Sequence, residues 1–309
     1  MKIVSVINYK GGVGKTSLTA NLGAELAWRG KRVLLIDMDA QASLTFSFIP
    51  PDEWSSRYEA DRTIKAWFDA YEAGRPIRLT SLIEHPTRVN QALKGRGQVD
   101  IIYSHLGLIN VDLDLATSLG GSNLSQARQK FISTHRRLAD GLEELEATDA
   151  YDVVLIDCPP NFNIVTKTAI IASDFILVPT RPDELSTLGI DYLMRSMSEL
   201  IGDYNEYASL SKGQDIPQIA PKMVGVVFTM IQEYGGGPIA AQRAYMSRVR
   251  ERSGLPVFRS YIKRNDSVFA DAPQYGVPVA LKGYSNNAHQ SVVEGLKEVA
   301  TEFSERLGL

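Results

Sequence analysis

Short apolar runs alternate along this chain with longer stretches in which apolar residues recur at helical spacing. Residues 3–7 form the first run and read as a strand. Leu18, Leu22 and Leu26 then recur every four residues, which predicts a helix over 16–29, with Gly30 placed to end it. Residues 33–36 are wholly apolar, as expected of a parallel strand buried on both faces. The same reading predicts strands at 99–103, 151–157, 175–178, 223–228 and 257–258, with Pro179 ending the strand before it. Helices are expected over 124–145, 239–252 and 290–307, with short ones at 63–71 and 79–83. Residues 119–123 read as a turn, and Gly235-Gly236-Gly237 as a flexible loop. In the last helix Val292, Leu296, Val299, Phe303 and Leu307 share a face expected to dock on the sheet, with Glu294, Glu298, Glu302 and Glu305 opposite. Strand and helix alternate nearly throughout. That predicts an α/β fold: one doubly wound, mostly parallel sheet with helices on both faces, and one domain spanning 1–309.

Composition narrows the possibilities. The chain has 309 residues, 44% of them hydrophobic and 22% charged, enough for a sizeable core. Its net charge is −3, so contact with nucleic acid would need a local basic patch. A single cysteine, Cys158, excludes an internal disulfide framework and fits a reducing, cytoplasmic setting. No apolar run reaches the roughly 18 residues of a membrane span. The chain enters a strand at once, so neither a signal peptide nor an added N-terminal domain is expected.

The chemistry concentrates at Tyr9-Lys10-Gly11-Gly12-Val13-Gly14-Lys15-Thr16, between the first strand and the first helix. Strand, glycine-rich loop and helix form the context of a phosphate-binding loop, whose backbone N–H groups and helix N-terminus surround phosphate oxygens. Lys15 is placed to reach β- and γ-phosphates, and Thr16 to ligate Mg²⁺. The first glycine of the usual pattern would fall on Tyr9, and a second lysine, Lys10, stands beside it. Asp37 and Asp39 follow the second strand, and Asp157 ends the strand at 151–157. In open α/β sheets, ligands sit beyond the carboxyl ends of strands. Asp157 therefore reads as a Mg²⁺ carboxylate acting through water. Of Asp37 and Asp39, one is expected at the metal and one at an attacking water, since two carboxylates beside phosphates repel without a cation. Cys158 reads as a small packed residue, and the scattered histidines carry no ligand spacing. The helix at 239–252 carries Arg243, Arg248, Arg250 and Arg252 on two flanks, with Arg264 beyond it. This charge fits either a solvated surface or contact with a phosphate backbone.

Lys10 to Thr16, KGGVGKT, resembles the deviant Walker A motif of the ParA/MinD (SIMIBI) ATPases, and the chain looks most like their ParA/Soj partition proteins. Residues 34–45 are similar to that family's DxDPQGN(L/A)T stretch but carry Ala40 and Ala42 where Pro and Gly are usual. Residues 155–160 resemble its Walker B segment. Ile262-Lys263-Arg264 stands where the family has Ile-Pro-Arg. The likeness is weakest over about 50–125, read as a helical, family-variable segment. The resemblance implies ATP and Mg²⁺ as cofactors, with nucleotide contacts from Lys10 through Ser17 and from Met230 and Ile262. It assigns catalytic roles to Lys10, Lys15 and Asp39, and metal roles to Thr16, Asp37 and Asp157. It further implies an ATP-dependent sandwich dimer in which Lys10 crosses to the partner's nucleotide. DNA would be bound without sequence preference through Arg243, Arg248, Arg250, Arg252 and Arg264, placing the ATP form on the nucleoid. A ParB-like partner would stimulate hydrolysis, and no membrane partner is expected. The competing expectations are a MinD/FlhG-like membrane-associated positioning ATPase and a biosynthetic enzyme of the same superfamily. The acidic last helix counts against the first, since a membrane-surface helix would carry Lys and Arg there.

Overall fold

The structure, a computed structural model, describes residues 1–119, 123–211, 215–251, 254–270 and 276–309. It opens with β1 (Lys2–Val6), α1 (Lys15–Trp28) and β2 (Arg32–Asp37). Short helices follow: α2 (Ser43–Phe46), α3 (Pro51–Arg57), α4 (Ile64–Glu72) and α5 (Thr87–Leu93), with a 3₁₀ turn at Leu79–Leu82. Then come β3 (Gln98–Ile102), α6 (Leu108–Ser118), α7 (Leu124–Glu146), β4 (Val153–Asp157), α8 (Ile164–Ile171), β5 (Phe175–Thr180) and α9 (Glu184–Leu210). The last part holds β6 (Lys222–Ile231), β7 (Glu233–Tyr234), β8 (Gly237–Pro238), α10 (Ala240–Arg250), β9 (Val257–Lys263), α11 (Asp266–Ala270) and α12 (Asn287–Leu307).

Seven strands form one sheet in the order β3-β2-β4-β1-β5-β6-β9, and every neighbouring pair is parallel. This is the doubly wound sheet that the alternation of elements predicts. Successive residues of a strand point to opposite faces, so one strand feeds two cores. Leu34, Ile36, Val154 and Ile156 pack with residues of α4, α7, α8 and α9. Val33, Leu35, Val153 and Leu155 pack with α1 and α12. Gly23 lets α1 approach closely: a Cβ there would lie 2.8 Å from Leu35 Cδ2. The chain winds outward in both directions from β1, so the crevice at the carboxyl end of β1 is the topological switch point where such folds bind ligands. In the strand register Val6 and Asp37 both pair with Asp157. Three strands thus end at one level around that crevice. Among the described residues no helix is long and apolar enough to cross a membrane.

Four expectations need correction. β5 runs through Pro179 to Thr180, because Pro179 lies beyond the last residue of β1 and its carbonyl accepts from Asn8 Nδ2 at 2.8 Å. Gly235 (φ 63°) and Gly236 (φ 84°) close a tight antiparallel hairpin, not a flexible loop. The edge strand expected at 257–258 extends to Lys263. Glu302, expected on the outer face of the last helix, is buried against that extended strand. Most of the turn expected at 119–123, and Arg252 at the end of the helix expected over 239–252, lie outside the described residues.

Candidate nucleotide site

The loop between β1 and α1 turns on Gly12 (φ 68°) and Gly14 (φ 80°), left-handed positions that favour glycine. Gly14 is the N-cap of α1, so the first free N–H groups of the helix border the cavity above it. Lys15 is buried, and its Nζ donates to the Lys10 carbonyl at 3.3 Å, folding the side chain back over the loop. Burial pushes its ammonium below the usual lysine range, opposed by the charges of Asp157 and Asp39. Thr229 Oγ1 donates to the Val13 carbonyl at 2.7 Å, which ties the loop to β6.

Thr16 and Asp157 meet directly: Thr16 Oγ1 donates to Asp157 Oδ2 at 2.7 Å. Asp157 is buried, and burial raises its carboxyl above the ordinary range, with the charge of Asp37 pushing the same way. Asp37 is also buried and raised, chiefly by burial. Its oxygens accept from Thr45 N and Thr45 Oγ1, both at 2.8 Å, and from Asp39 N at 3.1 Å. Asp37 therefore stands beside Asp157 but is turned toward Thr45, while Asp39 lines the cavity. Thr16, Asp157 and Asp37 offer only oxygen donors, as Mg²⁺ prefers. Among the described residues no cluster of three His, Cys, Asp or Glu could hold a metal. A cation there would complete its shell with phosphate oxygens and water. Ala42 adopts φ 52°, in the left-handed region that favours glycine.

The cavity measures about 480 Å³ and is lined by Gly12, Gly14, Lys15, Thr16, Asp39, Met230 and Phe269. A narrower slot of about 100 Å³ leads off it, bounded by Ser17, Met230, Ile262, Asn265 and Phe269. Met230 lines both spaces, and Ile262 lines the slot alone. Met230 adopts φ 55° between the two spaces. Sequence reasoning missed Phe269 and Asn265. The signal available was position, since both follow the carboxyl end of β9.

Lys10 behaves unlike Lys15. Its Nζ donates to Asp183 Oδ1 at 2.9 Å and Oδ2 at 3.0 Å, away from the cavity lining. Tyr9 packs between Phe162 and Tyr192, with ring centroids 5.6 and 5.0 Å away. Of the candidate DNA residues, Arg243, Arg248 and Arg250 are exposed on α10. Arg264 is exposed and paired with Asp266 at 2.9 Å. Arg252 lies outside the described residues.

Comparison with known proteins identifies the family. The AAA_31 family profile (AAA domain) matches residues 1–210, and the chain belongs to that family. It is similar to the chromosome partitioning protein ParA of Caulobacter vibrioides (strain NA1000 / CB15N), with 29% identity over 306 residues, 99% of this chain and 96% of ParA. Its fold resembles that of Cyanothece McdA, solved as an ATP complex, with a TM-score of 0.70 and 19% identity, covering 100% of this chain and 97% of McdA. Cobyrinic acid a,c-diamide synthase from Mycobacterium smegmatis, solved with ADP and magnesium, shares the fold at a TM-score of 0.60 and 22% identity, over 89% of this chain and 91% of the synthase.

Proposed function

We propose that this chain is a Mg²⁺-dependent ATPase of the ParA type, which pairs with a second copy when both hold ATP. The observation that carries the reading is the divergence of the two loop lysines. Lys15 folds over its own loop, whereas Lys10 points to the rim, where its charge serves no group of its own cavity. A rim lysine from each copy would neutralise the negative charge brought together when two nucleotide-loaded faces meet. An apolar stripe beside Lys10 supports a protein contact there. Leu185, Leu188 and Tyr192 of α9 are 57–71% exposed.

Within one copy, the loop N–H groups and Lys15 would hold the phosphates, and Met230, Ile262 and Phe269 would enclose the base. Thr16, with Asp157 and Asp37 behind it, fits Mg²⁺. The ion would supply charge neutralisation on the phosphates. Asp39 is placed to accept a hydrogen bond from the attacking water and orient it. The pair would bind DNA without sequence preference through Arg243, Arg248, Arg250, Arg252 and Arg264, in the cytoplasm over the nucleoid. A ParB-like protein would trigger hydrolysis and release it from the DNA. The reading is favoured over a biosynthetic one because ParA is matched in sequence at 29% identity over 306 residues, whereas the synthase shares the fold at 22% identity. A membrane-associated role finds little support, since Val292, Leu296, Val299 and Phe303 of α12 are buried against the sheet. The test is sedimentation velocity with ATP, ADP or a non-hydrolysable ATP analogue. The wild type should pair only with ATP or the analogue. Lys10→Ala should keep nucleotide binding and stay monomeric. A Lys10→Ala pair of wild-type strength would remove this lysine from the interface.

A further inference from the structure

The rim lysine has a partner inside its own chain. Both oxygens of Asp183 accept from Lys10 Nζ, at 2.9 and 3.0 Å. Asp183 is itself fixed: it is the N-cap of α9, with Oδ1 accepting from Ser186 N at 2.9 Å. Arg181 Nε lies 3.6 Å from Oδ2. The bond joins two distant segments, the phosphate loop after β1 and the start of the helix after β5. A lysine is a point charge on a flexible stem. While Asp183 chelates it, that stem is folded onto its own subunit and cannot extend to a phosphate on another molecule.

The geometry points to Asp183 as a positioning residue for Lys10: it holds the ammonium in the unpaired chain and yields it to the nucleotide of a second copy. The threshold for ATP-dependent pairing is then set by competition between one carboxylate and the incoming phosphates. This rests on the dimer reading above. Terminal phosphates carry more charge than a single carboxylate and form strong charge-assisted bonds with ammonium groups, so they can win the exchange. Loss of the γ-phosphate weakens the competitor and returns Lys10 to Asp183. The ion pair is about one-third exposed on each side, 31% and 36%, which keeps it weak enough to exchange. Exposed pairs shift an equilibrium by up to about fivefold. A dimer gives up two of them, so releasing both changes the dimer constant by about 2- to 25-fold.

Asp183→Asn tests this, because asparagine caps a helix as well as aspartate does but carries no charge. Asp183→Ser serves as a second variant that keeps the cap. Dimer dissociation constants are measured by sedimentation velocity with the non-hydrolysable ATP analogue and Mg²⁺, and thermal melts confirm the fold. The expected result is a dimer several-fold tighter in both variants than in the wild type. An equal or weaker dimer in folded variants, beside a wild type that pairs, overturns the proposal and leaves the dimer reading intact. No pairing in either protein overturns both. Asp183→Asn is also made in a Lys10→Ala background, where it should have no effect. Restored pairing there would mean that Asp183 merely repels the second copy, and would also overturn the proposal.

Discussion

Asp39 and His135 show how burial decides what a single side chain can do. Asp39 lines the cavity, half-buried, with Oδ1 accepting from Gln41 N at 3.0 Å, so its second oxygen can face a water. Asp39→Ala should bind ATP and pair but fail to turn over, leaving a persistent dimer. Phosphate release and sedimentation measured together check this, and wild-type turnover would remove Asp39 from the mechanism. His135 is 1% exposed, and its Nδ1–H donates to the Phe131 carbonyl at 2.8 Å. Burial lowers its pKa to about 4, aided by the charge of Lys167 and opposed by the Phe131 bond. An unfolded histidine titrates near 6.5. Between about pH 6.5 and 4 the unfolded chain therefore binds the extra proton. The stabilisation is complete above that window, and about 3 kcal/mol is lost as pH falls through it. In urea titrations, the pH slope of His135→Gln should be flatter by about one proton across this range. An unchanged slope would place the acid sensitivity elsewhere. The residues legible in sequence were those carried by one contiguous strand-loop-helix motif, such as Gly12, Gly14, Lys15 and Thr16. Asp183, Asn265 and Phe269 were not, because they reach the site from loops after β5 and β9, and only the sheet order brings those loops to β1.

At the scale of elements, periodicity found helices with one apolar face and missed α9, which has two. Leu193, Met197, Leu200 and Tyr204 face the core, while Leu185, Leu188 and Tyr192 are exposed, so no single stripe stands out. The outer stripe that hid the helix is also the best sign of a contact surface. The C-terminal helix was legible from its apolar face, but the role of Glu302 was not. Glu302 accepts from the backbone N–H groups of Arg259 and Ser260, from Ser260 Oγ, and from Arg306 Nη2 at 2.7 Å. It closes the outer edge of β9, whose bare N–H groups could otherwise template pairing with another strand. Burial alone would raise its carboxyl, yet these bonds hold it below the usual glutamate range. Glu302→Ala would leave two partly buried N–H groups without their acceptor. A loss of about 2–3 kcal/mol is expected, read by urea unfolding. Glu302→Gln, which keeps an acceptor, should lose less. Equal stability of Glu302→Ala and the wild type would show that water replaces the carboxylate without penalty. The helix α4 is fixed by a comparable device. Arg137 of α7, 4% exposed, donates to the carbonyls of Trp67 and Phe68 and lies 3.8 Å from the Tyr71 ring centre. It joins α4 to α7 through contacts remote in sequence.

For the whole molecule, the question is how a chain of net charge −3 could hold DNA. Nothing in its composition favours a polyanion, and α10 exposes only three described arginines, Arg243, Arg248 and Arg250, spread over two flanks. Three phosphate contacts hold DNA weakly at physiological salt. Two such sets joined in a dimer act with a high effective concentration, so pairing alone can raise avidity by orders of magnitude without a new contact. ATP would then control DNA binding without touching the DNA site, by controlling whether a second set is present. Co-sedimentation with DNA should succeed with the non-hydrolysable analogue, fail with ADP, and fail for Lys10→Ala in either state. Equal binding in both nucleotide states would break the link between pairing and DNA. The salt dependence counts the contacts. Each arginine on a phosphate adds about 0.9 to the slope of log affinity against log salt, and does so twice in a dimer. Replacing Arg243, Arg248 and Arg250 by Ala should therefore flatten the slope by up to about 5 while leaving ATP-dependent pairing unchanged. A variant that loses pairing instead would place α10 at the interface between copies. An unchanged slope with pairing intact would send the DNA to another face of the dimer.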